Sequence, residues 1–106
     1  MGAVEEAILR RLRLLISERL ALHRMILFGS RARGDADSDS DMDVLVVLSG
    51  PADKAARDIV SDCAWEAGLE QGIVVVPIVV SRAEWEDGPE RYSMLAEAIR
   101  AEGVPV

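Results

Sequence analysis

The chain has 106 residues, half of them hydrophobic but only 4% aromatic, and a formal charge of −7. That length and apolar content suit one domain, 1–106, with an aliphatic core, and the negative balance disfavours general attraction to nucleic acid, which depends on neutralising phosphates. A single cysteine, Cys63, an acidic start (MGAVEEAILRR) where a signal peptide needs basic residues, and no apolar run near the ~18 residues of a membrane span point to the cytoplasm and away from any membrane.

Val4, Ile8, Leu12, Leu15, Ile16 and Leu20 recur at helical spacing, so a first helix is expected from about Val4 to Leu22. Met25 to Phe28 reads as a short buried strand stopped by Gly29. Residues 29–41 hold two glycines and many small polar residues, which predicts a loop with room for one helical turn. Met42 to Leu48 is a second strand, closed by Ser49-Gly50-Pro51. A second helix follows over Ala52 to Leu69, with Ala55, Ile59, Cys63 and Ala67 on its apolar face. Ile73 to Val80 (IVVVPIVV) is a third strand, and Pro77, which cannot donate to a ladder, predicts an edge or a bulge. Ser81 and Glu84 form a capping-box pattern for a short turn. Pro89 then opens a last helix that ends near Ala101, before Gly103. The expected order is α-β-β-α-β-α, a small mixed β-sheet flanked by helices in an α/β (α+β) fold.

Chemistry concentrates in GSRARGDADSDSDMD, residues 29–43, where five aspartates alternate from Asp35 to Asp43. A P-loop has the right glycine separation at Gly29 and Gly34, but Asp35-Ala36 stand where Lys-Ser/Thr is required. An EF-hand fails in every register, because no start at Asp35, Asp37 or Asp39 brings glycine to position six and glutamate to position twelve. Asp41 and Asp43 differ from the other three by opening a strand. Side chains two apart on a strand share a face, with Cα atoms roughly 6.6 Å apart. Two carboxylates held so repel unless a cation lies between them, and hard oxygen ligands suit Mg²⁺ or Mn²⁺, which take further oxygens from a nucleotide's phosphates. Gly29 lets backbone approach a phosphate, and Ser30 offers a hydroxyl and an amide. Arg31 and Arg33 add positive charge for the same anion. Asp35, Asp37 and Asp39 read as solvated loop residues.

Gly29-Ser30, ten intervening residues, then Asp41-Met42-Asp43 on a strand resembles the signature of the DNA polymerase beta nucleotidyltransferase superfamily. LFGSRARGDADSDSDMDVLVVL is similar to its minimal, MntA-like branch in bacteria and archaea. The resemblance implies that Gly29 and Ser30 hold a triphosphate and that Asp41 and Asp43 are the catalytic metal ligands. It further implies that AMP passes from ATP to a hydroxyl, a tyrosine of a partner HEPN toxin encoded nearby, with the chain as antitoxin. The net charge of −11 over residues 35–106, against +4 over residues 1–34, suits a basic partner. Homo-oligomerisation stays open.

One part of the family pattern is missing. Active members place a third carboxylate on the next strand, and IVVVPIVV has none. Glu70 precedes it and Glu84, Glu86 and Asp87 follow, so a substitute would come from a loop, while Val75 and Val79 are alternate positions that could face the pair. The competing function is therefore a nucleotide-binding module that silences its partner by occupancy. Trp65 and Trp85 read as packing anchors, His23 as a surface residue, Cys63 as an inert buried thiol and Tyr92 as a core or interface residue.

Overall fold

The computed structural model describes residues 2–88 and 93–106. Helix α1 (Ala3–Ser17) opens with Glu5 accepting from the Gly2 amide at 3.0 Å. It buries Ile8, Leu9, Leu12 and Ile16. It ends five residues before its expected limit, because Leu22 already belongs to strand β1 (Leu22–Phe28). Strand β2 (Met42–Leu48) explains the change. Its seven residues need an equally long antiparallel partner, so the ladder captures Leu22 opposite Leu48, with an irregularity between Leu22 and Arg24.

Between them, α2 (Ser30–Arg33) is the single helical turn the loop allowed. Helix α3 (Lys54–Leu69) starts at Asp53, whose carboxylate accepts from Ala56 N at 2.9 Å. Its buried stripe is Ala56, Val60, Cys63, Ala64, Ala67 and Gly68, so Ala55 faces solvent instead of the core. Strand β3 (Val75–Ser81) runs parallel to β2, and α3 makes the crossover that a parallel pair requires. Ser81 and Glu84 form the expected reciprocal cap at the start of α4 (Arg82–Asp87). Helix α5 (Met94–Glu102) is capped by Ser93. The expected start at Pro89, and Tyr92, lie outside the described residues. A short β4 (Val104–Pro105), absent from the sequence expectation, pairs antiparallel with β1.

The sheet order is β3-β2-β1-β4, so β3 is an edge, where Pro77 removes no internal bond. Helices α1 and α3 cover one face through Ile8, Leu12, Ile16, Val60 and Ala64 against Met25, Leu27, Met42, Val44 and Val46. The other face carries Ile26, Leu45 and Val47 against Ile99, with Phe28, Ile78, Val80 and Trp85 at its margin. Alternation along β2 therefore puts Asp43 on the second face. Trp65 corrects its expected packing role, for it is 67% exposed. Trp85 keeps that role, half-buried with the Arg100 guanidinium 4.0 Å from its ring centre. Cys63 is buried, which pushes its thiol pKa up. Among the described residues no helix is long and apolar enough to cross a membrane.

Candidate functional site

The end of β1 meets the start of β2, where Phe28 pairs with Asp43. The next residue, Gly29, has φ +76° and ψ −158°, a backbone region open essentially to glycine alone. A Cβ at Gly29 would lie 2.5 Å from Asp43 Oδ2. Glycine is thus required twice, by its torsion angles and by the carboxylate beside it. The Gly29 carbonyl accepts from the amides of Ala32 and Arg33, both at 3.1 Å, which starts α2 with Ser30 as its first residue. Gly29 and Asp43, fourteen positions apart in the sequence, are thus close neighbours in the fold.

Asp43 is half-buried and Asp41 exposed. Burial raises the Asp43 pKa above the ordinary aspartate value, the charge of Asp41 raises it further, and Arg33 pulls it down. The two carboxylates are therefore close enough to repel, and Asp43 has lost part of its hydration. A divalent cation would relieve both penalties. Among the described residues no three His, Cys, Asp or Glu side chains converge to hold a metal. The donor set that fits is two carboxylates with the remaining oxygens from phosphates and water, as Mg²⁺ commonly takes.

The two arginines, expected together on the anion, part company. Arg33 is on the solvent side, paired with Asp35 at 3.3 Å and Glu102 at 3.4 Å, within electrostatic reach of Asp43. Arg31 is buried and turned away into a network with Glu5, Ser38 and Ser40. Asp37 and Asp39 are exposed, as solvated loop residues should be.

Strand β3 supplies no acid beside the pair. Its register sets Val76 level with Asp43 and on the same face, at 38% exposure. Val75 and Val79 pack on the opposite face with α1 and α3, which corrects the expectation that they could face the pair. Glu84 and Glu86 sit beyond the far end of β3, five residues from that level, in the Ser81 cap and in a pair with Arg82. An apolar cavity of about 200 Å³ on the Asp43 face lies further along, floored by Leu45, Ile78 and Val80, and among the described residues no cation lines it to receive a phosphate. Two acids were missed by sequence reasoning: Glu5, which holds Arg31, and Glu102, which holds Arg33. They lie 26 and 69 residues from those partners, a separation no local pattern reveals.

A mixed sheet backed by helices carries, where β1 meets β2, a glycine turn pressed on a strand carboxylate. The chain belongs to the nucleotidyltransferase domain family, whose model matches residues 9–100. By sequence, no curated protein matches it. Among solved structures, a chain of a toxin–antitoxin crystal structure with AMP-PNP aligns at TM-score 0.65 and 21% identity, over 95% of this chain and 70% of that one. A chain of the complex of tri-AMPylated Shewanella oneidensis HEPN toxin with MNT antitoxin aligns at TM-score 0.56 and 18% identity, over 96% and 70%. A chain of an MntA–HpeT toxin–antitoxin structure gives 0.63 and 21%, over 96% and 70%. At these identities the likeness is one of fold.

Proposed function

We propose that this chain is a metal-dependent adenylyltransferase of the minimal MntA type, which moves AMP from ATP to a tyrosine hydroxyl of a HEPN-domain partner and thereby acts as antitoxin. The observation that carries the reading is the contact between the Gly29 backbone and the Asp43 carboxylate. That closeness supports reading Gly29 as the turn a phosphate approaches and Asp43 as a metal ligand beside it. Gly29 and Ser30 receive the β- and γ-phosphates, and Arg33 offers a solvent-facing cation to the same charge. Asp41 and Asp43 are the residues that would hold Mg²⁺ or Mn²⁺, which when bound neutralises charge on the phosphoryl oxygens.

In the transfer, the acceptor hydroxyl oxygen attacks the α-phosphorus in line. The bond from that phosphorus to the oxygen bridging the β-phosphate breaks, and pyrophosphate leaves with the electron pair. The hydroxyl proton passes to solvent or to a base from outside β3, because valine, not an acid, stands level with Asp43 on that strand. Positioning and charge neutralisation carry most phosphoryl-transfer catalysis, so a reaction without that acid is slowed more readily than stopped. The same Val76 favours a second reading, a nucleotide-binding module that silences its partner by occupancy. The AMP-PNP and tri-AMPylated neighbours support nucleotide use and AMP transfer by analogy of fold. The acidic 35–106 segment supports a basic partner.

The experiment incubates the protein with labelled ATP, Mg²⁺ and the HEPN protein encoded beside it, and follows the partner by mass spectrometry. An added AMP on a tyrosine, lost in Asp43→Asn, supports the transferase. A partner that is bound and silenced but never modified supports the module. Neither binding nor modification overturns both.

A further inference from the structure

We infer that Arg31 is a positioning residue that, with Glu5, straps the aspartate loop in place and holds Asp41 in register with Gly29–Ser30 and Asp43, without touching the nucleotide. The inference rests on the reading of Asp41 and Asp43 as metal ligands. Arg31 is 7% exposed, the buried charged side chain among the described residues. Its Nε and Nη2 donate to the Ser40 carbonyl at 3.0 and 2.7 Å. Nη2 also donates to the Ser38 carbonyl, and Nη1 to Glu5 Oε2, each at 3.0 Å. One planar fork thus spans from the start of α1 to the end of the loop, a geometry that lysine cannot reproduce.

The place of the Ser40 carbonyl gives the strap its consequence. Ser40 immediately precedes Asp41, and on the other side the Met42 amide donates to the Val74 carbonyl at 2.9 Å. The Asp41 backbone is pinned from both flanks, by Arg31 before it and by β3 after it. Arg31 also follows Ser30 directly on α2, so one side chain links the phosphate turn to the first carboxylate of the pair. Glu5 supplies the counter-charge that a buried guanidinium requires. Arg33, 45% exposed at its side chain, is the arginine left facing solvent near Asp43.

The test compares the full chain with Arg31→Lys, Glu5→Gln and Asp43→Asn. Calorimetry measures ATP affinity in chelator and across a Mg²⁺ titration, and hydrogen exchange of the metal-free protein follows residues 36–42. Arg31→Lys should leave metal-free ATP affinity within about twofold while raising the Mg²⁺ needed for half-maximal effect by about tenfold to a hundredfold, the usual effect of losing support behind a metal ligand. Exchange at Ser40 to Met42 should quicken, and Glu5→Gln should shift every readout the same way. If Arg31→Lys does not fold, Glu5→Gln carries the comparison. Were Arg31 a phosphate ligand, freeing it from Glu5 would tighten ATP binding, and Arg31→Lys would weaken it without metal; either result overturns the strap. Mg²⁺ dependence that moves in Asp43→Asn but not in Arg31→Lys or Glu5→Gln overturns the strap alone. Dependence that moves in none of the three overturns the metal pair, and the strap with it.

Discussion

Gly29→Ala probes the point where the phosphate turn and the carboxylates meet. Two penalties act together. The backbone at φ +76°, ψ −158° is one that alanine rarely adopts, at about 1–3 kcal/mol for such a residue. The new methyl would also stand 2.5 Å from Asp43 Oδ2, so the carboxylate must rotate away. For a chain of this size each kcal/mol lowers Tm by roughly 4–8 °C, which predicts a fall of roughly 5–20 °C. Mg²⁺-dependent ATP affinity, measured well below the new Tm, should drop by about tenfold or more, because the proposed metal ligand has moved. Gly34→Ala is the control. Its φ is +83° with nothing within 4 Å of an added Cβ, so it should lose about 1–2 kcal/mol of stability and keep its ATP affinity. Thermal melts and calorimetry on both variants decide. A Gly29→Ala protein that melts like Gly34→Ala and binds Mg²⁺ and ATP like the parent would refute the reasoning.

Further expectations concern the same corner. Ser30→Ala should weaken ATP binding by about 1–3 kcal/mol in calorimetry, whereas Asp37→Ala, in the solvated loop, should leave it unchanged; equal losses would return the loop acids to the ligand set. Val76→Asp, level with Asp43, should raise the transfer rate, with a general base's usual gain of about 10²–10⁴-fold as the ceiling. Val75→Asp, in the core, should instead unfold the protein by burying a charge, visible in its melt. Because the Asp43 pKa is raised in the fold, the native state holds more proton than the unfolded chain between the ordinary value of 3.8 and the folded one. The Asp43 contribution to the stability of the metal-free protein should therefore fall as pH rises through that window and level off above it. Urea melts across pH should show the parent losing stability relative to Asp43→Asn through that window, so that at neutral pH the variant is at least as stable; a stability difference between the two that does not change with pH contradicts the electrostatics.

Much of this was legible from residues alone. Helical spacing marked the helices, short apolar runs marked the strands, Pro77 marked an edge, and Ser81 with Glu84 marked a helix start. The errors have physical causes. Helix α1 stops early because ladder pairing of Leu22 with Leu48 outweighs the helical spacing that runs on to Leu20. The β4 pair is two residues long and leaves no periodic trace. Which valine of IVVVPIVV faces Asp43 depends on register, and a continuous apolar run carries none. The different fates of Arg31 and Arg33 depend on Glu5 and Glu102, which only the tertiary fold delivers. Motif spacing, with the family resemblance it carries, singled out Gly29, Ser30, Asp41 and Asp43 as candidates. It could not reveal that a Cβ on the first would strike a carboxylate of the last.

The central claim is that Asp41 and Asp43 bind a divalent metal together with a triphosphate seated at Gly29–Ser30. The most direct measurement is calorimetry of ATP with and without Mg²⁺ on the parent chain and on Asp43→Asn. The account predicts that Mg²⁺ strengthens ATP binding by the parent, and that Asp43→Asn loses this enhancement while remaining folded. Equal Mg²⁺-dependent affinity in both proteins would contradict it.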